Sequence, residues 1–284
     1  FLTATAALQF GLSDPLTSLG GALIIAAVLA IWAFIRAEQR HPRPLINLAL
    51  FRVTTFWRNL ASGLAFYVLM MFPAFLLPFY LHVVLDQPMW VVGLSLLPQA
   101  AVTFLVSPFG GRIADRSGVL LPGRIGFLLF ALADLLLAVP SRAPLALVWV
   151  ASALTGAAAG LVMAPNNSAI LGSVSRADSG MASAIIATQR NIGRNIGTAL
   201  AVLIPSLYWI ATGAGPAPPS SAPEYADLFQ GAFRTVFLIA PGIALSGLAL
   251  MRATQPAAAR PPLPKTARTR EPPLTPRATA DPRG

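Results

Sequence analysis

Gly110-Gly111-Arg112-Ile113-Ala114-Asp115-Arg116-Ser117-Gly118 stands between two long apolar stretches. Charge this dense is costly in hydrocarbon, so the run marks a short aqueous loop joining two membrane helices. Glycines at both ends suit a turn and a close approach of backbones. Asp115 is expected to accept hydrogen bonds from free amides at the start of the next helix, and to pair with Arg112 or Arg116. Such a network braces two helices, and its release lets them part. Gly111, Asp115, Arg116 and Gly118 are therefore candidate residues of a conformational gate. The plainer reading is a hydrophilic hairpin with ordinary arginines.

The rest of the chain reads as an all-α membrane protein. Of its 284 residues 56% are hydrophobic and only 11% are charged, with a mean hydropathy of +0.69. A soluble domain this apolar would expose large sticky patches, whereas lipid is a natural solvent for it. The formal charge of +10 raises the question of nucleic acid. The basic residues fall in short clusters between apolar runs and in a C-terminal tail, which points to a membrane surface instead. Cysteine is absent, which excludes disulfides and thiolate chemistry, and His41 and His82 share no metal-spacing motif. No metal and no cofactor is expected.

Seven segments qualify as spanning helices: Leu19–Ile35, Leu60–Leu85, Met89–Phe109, Gly123–Pro140, Leu145–Leu171, Met181–Ala211 and Phe229–Met251. Residues Phe1 to Leu12 are apolar but shorter than the ~20 residues a span needs, and read as the end of a cut helix. Arg36, Arg40, Arg43, Arg52, Arg112, Arg116, Arg124, Arg176 and Arg252 fall in alternate connections. The positive-inside rule then makes the Asp115 loop and the C-terminus cytoplasmic. Localisation follows as a multi-pass protein of the cell (plasma or inner) membrane. Gly213–Pro223 reads as an outer loop.

Asp134, Arg190 and Arg194 fall deep inside predicted spans. Counted from Arg124, Asp134 lies ~15 Å in; counted from Gly180, Arg190 lies ~15 Å and Arg194 ~20 Å deep. A buried pair between Asp134 and one of these arginines is one expectation. Gly156 with Gly160, and Gly193 with Gly197, form small-xxx-small faces for helix contact. Tyr67, Met71, Phe75, Gln99, Met163, Asn166 and Asn167 are candidate lining of an adaptable, largely apolar cavity, with ordinary packing as the alternative for each.

The Asp115 string resembles the recurring cytoplasmic loop motif of the major facilitator superfamily, with Gly111, Asp115, Arg116 and Gly118 on its fixed positions. Val119, Leu120 and Leu121 stand where that family usually carries further basic residues. Leu97-Pro98-Gln99-Ala100, Ala164-Pro165-Asn166-Asn167, Gly180-Met181-Ala182-Ser183-Ala184 and Gln189-Arg190-Asn191-Ile192-Gly193 follow in an order similar to the fourteen-helix drug:proton antiporter branch. Arg194 stands where that pattern has a small residue. The resemblance implies a C-terminal six-helix bundle over residues 59–252. Before it would come a partial transmembrane helix (1–12), then a linker helix with a basic cytoplasmic loop (13–58); a disordered cytoplasmic tail (253–284) would follow. It also implies proton-coupled efflux of hydrophobic or cationic drugs by alternating access. The expected partners are the lipid bilayer, a small-molecule substrate, protons and a missing N-terminal half of the same transporter, with no nucleic acid. The alternatives are a truncated, non-transporting remnant or assembly partner, and an exporter of one metabolite. No catalytic constellation supports an enzyme.

Overall fold

The computed structural model describes residues 48–138, 143–176, 178–215 and 224–251, with Leu29, Ala33 and Arg36 as isolated helical positions. The stub 1–12, the Leu19–Ile35 span apart from those positions, and the 253–284 tail lie outside the described residues. So do residues 216–223 of the expected outer loop.

A 3-10 turn at Leu48–Arg52 leads into α1 (Thr54–Phe79), which ends in a π-helical turn at Tyr80–Val84. Then come α2 (Met89–Ser95), α3 (Leu97–Ser117), α4 (Leu120–Ala138), α5 (Leu145–Gly172), α6 (Ser179–Ala211) and α7 (Tyr225–Leu250). Among the described residues there is no strand. Thr54–Val84, Met89–Ser117, Leu120–Ala138, Leu145–Gly172 and Tyr225–Leu250 are long and apolar enough to cross a membrane. The expected span Met181–Ala211 is helical too, over 33 residues, but it does not join that set. Its middle carries Thr188, Gln189, Arg190, Asn191, Arg194, Asn195 and Thr198, which lower its hydropathy.

Two boundaries differ from expectation. Met89–Phe109 is broken at Leu96, and its second piece runs on to Ser117. Pro98 offers no N–H and is tolerated only in a helix's first turn, so α3 begins just before it. The run Gly110–Ser117 is also helix and not loop. Charged side chains mark where a helix leaves lipid, but nothing in Arg112, Asp115 or Arg116 interrupts its hydrogen bonds. Gly118 does end it: its φ of +78° suits glycine, and the chain reverses there into α4.

Among lipid tails as apolar as leucine, helices gain little from hiding apolar surface from water. Close packing and hydrogen bonds hold them instead. α1 packs on α5, α6 and α7; α4 packs on α5 and α7; α3 lies against α5. Phe66 of α1 meets Phe130 of α4 edge-on at 5.7 Å, and Tyr80 stacks on Phe233 of α7 at 4.2 Å. Ser62 donates to the Gly247 carbonyl at 2.9 Å, tying α1 to α7.

Tyr80 also holds the turn before α5. Its buried hydroxyl accepts from the Ala143 N–H at 2.7 Å and donates to the Ala143 carbonyl at 3.3 Å. Tyr80→Phe keeps the ring stack but strands a buried N–H, which costs about 1–3 kcal/mol. A thermal melt of the detergent-solubilised protein should show the loss; an unchanged midpoint would mean that water replaces the hydroxyl.

Candidate functional site

Gly111 sits in α3 with open space where a side chain would go, and Asp115 and Arg116 occupy its last turns. Arg112, Asp115, Arg116 and Gly118 are all exposed. Arg112 lies over the Phe109 ring at 5.7 Å. The expected brace is not formed among the described residues: Asp115 makes no hydrogen bond or ion pair with any of them. Three charges thus face outward at one end of the bundle. An acid in the last turn of a helix also opposes the helix dipole, which gives it reason to seek a partner.

A cleft of ≈ 700 Å³ opens along α1 and α3, lined by Met70, Leu96, Gln99, Ala100, Thr103, Phe104, Ser107 and Pro108. Its wall is mainly apolar, with three hydrogen-bonding side chains. Gln99 donates to the Met70 sulfur at 3.8 Å, and Thr103 donates to the Gly156 carbonyl at 3.0 Å. Of the seven expected lining residues, only Gln99 belongs to this cleft. Tyr67 is buried in the seam of α1 with α6, and Met71 meets α6 at Gly197. Phe75 packs beside Phe79, with ring centroids 5.5 Å apart. Met163 is exposed on α5, Asn167 is half-buried and Asn166 is buried. Periodicity placed these residues on helices but did not fix which way each helix is turned.

The buried Asn166 belongs to a polar knot the sequence reading missed. Gln189 of α6 donates to the Leu60 carbonyl of α1 at 2.6 Å. Both amides converge on Gly63: a Cβ there would lie 2.5 Å from Asn166 Nδ2 and closer still to Gln189 Nε2. Asn166 Oδ1 and Gln189 Oε1 are buried without a hydrogen-bond partner among the described residues. The signal in the sequence was a glycine and two side-chain amides, Gly63, Asn166 and Gln189, within long helical segments.

Asp134 is 2% exposed on α4, and its Oδ2 has no partner among the described residues. The expected pair with Arg190 or Arg194 is not formed. Both arginines are exposed on α6, and α6 packs chiefly on α1 and α7. The same depth in the membrane did not mean the same face. Gly126 of α4 meets Ala158 and Val162 of antiparallel α5, which sets Asp134, eight residues on, level with Ser152. The Ser152 hydroxyl is likewise buried and unpartnered among the described residues.

Residues 3–198 and 88–281 match the profile of the Major Facilitator Superfamily, and the chain belongs to that family. It is thus a multi-pass membrane protein of a transporter family, not an enzyme. It is 32% identical over 205 residues to the uncharacterised transporter YebQ of Escherichia coli, covering 72% of this chain and 44% of that protein. It is 30% identical over 180 residues to the riboflavin transporter RibZ of Clostridioides difficile, covering 63% and 38%. It is 29% identical over 178 residues to the multidrug resistance protein Stp of Mycobacterium tuberculosis, covering 63% and 33%. The chain spans less than half the length of each of these relatives.

Proposed function

We propose that this chain is the C-terminal half of a proton-coupled exporter of hydrophobic, drug-like molecules that works by alternating access, with the Asp115 end and the C-terminus in the cytoplasm. Resemblance to the fourteen-helix antiporter branch and to multidrug resistance protein Stp supports the drug class. The cleft carries the reading: a mainly apolar wall with Met70, Phe104, Gln99, Thr103 and Ser107 suits ligands of varied shape and few polar groups. Of the two substrate characters the sequence suggests, hydrophobic and cationic, the cleft supports the first. In this reading two halves rock around a midplane site, and the exposed Asp115 and Arg116 engage the other half in one of the two states.

Proton-linked efflux of several dyes by the full-length gene product in a pump-deficient host tests this. Efflux should collapse when the proton gradient is dissipated. Asp115→Asn should lower it about tenfold at an unchanged membrane level, within the ~1–3 kcal/mol of a typical coupling free energy. Efflux indifferent to Asp115→Asn would remove the gate role. Similarity to a riboflavin transporter favours a second reading, transport of one particular metabolite. Transport of a single compound that no dye inhibits would establish that reading over the first.

A further inference from the structure

α6 seats itself on α1 with a stripe of small and neutral residues, Ala182, Ile186, Gln189, Gly193 and Gly197, all buried. One position further round, Arg190 and Arg194 stand exposed beside that seam. They are the twelfth and sixteenth of the 33 residues of α6, ~17 Å and ~23 Å along it. Both positions lie in the middle third of the helix. Arg194 lies over the ring of Tyr67 at 5.9 Å, and both guanidiniums lie close enough to Tyr67 for their charge to act on its hydroxyl.

Two fixed positive charges at this depth are costly without an anion. The described residues pair none with them. Among the described residues Asp134 is the only acid in the middle of a helix, and it is buried on α4. Neither Arg190 nor Arg194 has an ion pair or hydrogen bond with a described residue. Residues four apart on a helix are neighbours, so the two planar forks can straddle one carboxylate or sulfonate group. The apolar cleft is near: Tyr67 and Met70, which lines it, are three residues apart on α1.

We propose that Arg190 and Arg194, with the Tyr67 hydroxyl, bind the anionic group of an aromatic or other amphipathic organic anion whose apolar body lies towards Met70 and α3. The substrates of this protein are then hydrophobic anions rather than cations. This deepens the transporter reading above and rests on it for the word substrate, but the binding site stands on its own geometry.

Three probes with one apolar body separate the possibilities: 1-naphthoate, 1-naphthamide and 1-naphthylmethylamine. Binding to the full-length protein in nanodiscs is read by ligand-induced thermal stabilisation, and transport by uptake into energised everted vesicles. Wild-type protein should favour naphthoate over the amide and the amine. Arg194→Gln should weaken naphthoate about tenfold or more, the scale of a charge-assisted hydrogen bond, and leave the amide within about twofold. Arg194→Lys should retain part of the preference, and Arg190→Glu with Arg194→Glu should invert it towards the amine. That gain cannot come from misfolding. The proposal fails if naphthoate does not bind, if the amine binds wild type as tightly, or if Arg194→Gln weakens all three probes alike. The last result would mean that the arginine instead pairs with an acid elsewhere in the polypeptide. Selective naphthoate binding with no gradient-driven uptake of any probe would keep the site and sink the transporter reading.

Discussion

Gly160→Leu is expected to leave no folded, monodisperse protein, because α3 and α5 touch backbone to backbone at that point. A Cβ on Gly160 would lie 2.9 Å from the Ser107 amide nitrogen and 3.2 Å from the Thr103 carbonyl oxygen. A Cβ on Gly110, across the same seam, would lie 2.5 Å from the Gly160 carbonyl oxygen. One turn along α5, a Cβ on Gly156 would press on Gln99, 3.1 Å from its Cα. The obstacles are main-chain atoms of two helices, which cannot rotate aside as a side chain does. Even one methyl group must therefore push the helices apart. Gly160→Ala and Gly156→Ala should each cost about 1–3 kcal/mol, the usual range for overpacking. Leucine at either place should separate the helices altogether and break the Thr103 bond to the Gly156 carbonyl. Gly93 of α2 and Gly242 of α7 supply the controls, with nothing within 4 Å of a Cβ. Alanine there should be neutral or slightly stabilising, since glycine is the poorer helix former by ~1 kcal/mol. Fluorescence-detected size exclusion and melting midpoints read the series. A Gly160→Ala midpoint at or above wild type, like that of Gly93→Ala, would show that helix propensity, not the seam, decides.

That seam was legible before the fold, and for a physical reason. A membrane fixes the length of an apolar segment, and close helix contact requires small residues four apart; both patterns survive in a one-dimensional string. Gly156 with Gly160 and Gly193 with Gly197 were read that way, and each meets a neighbouring backbone. Helix rotation left no such trace. Asp134 and Arg190 lie at like depths, yet one points into the α4 packing and the other away from α6. Tyr67 and Asn166 looked like cavity lining and are buried in seams, while Gln99, read with them, does line the cleft. The Asp115 run failed differently. Its charges report where α3 leaves lipid, and the end of the helix is set later, by the backbone of Gly118. Composition gives the solvent of each residue, whereas its partner depends on which helix stands beside it.

Gln189→Glu is the second large effect, and it separates packing from hydrogen bonding. The two side chains have nearly the same shape. Glutamine gives α1 a donor, Nε2 to the Leu60 carbonyl at 2.6 Å, while its Oε1 stays buried and unpartnered among the described residues. Leu60 lies inside α1, so its carbonyl also accepts the helical bond from Leu64, and Gln189 takes its second lone pair. An ionised glutamate would set an oxygen against that oxygen, with Asn166 Nδ2 a neighbouring donor at Gly63. Burying a charge so poorly paired should cost at least ~3 kcal/mol. Gln189→Leu removes one hydrogen bond and leaves the helical one, so it should cost only about 0.5–1.5 kcal/mol. The order of stability, wild type above Gln189→Leu above Gln189→Glu, is thus opposite to the order of likeness in shape. Gly63→Ala tests the same knot from the other side, since its methyl group must displace both amides. Combined with Gln189→Leu, whose side chain gives up that bond, it should cost less than the sum of the two alone, because the two sites are in contact. Melting midpoints in one detergent suffice. If Gln189→Glu melts with wild type, the α1–α6 seam holds by glycine packing at Gly193 and Gly197 alone, and the amides of Asn166 and Gln189 are passengers in it.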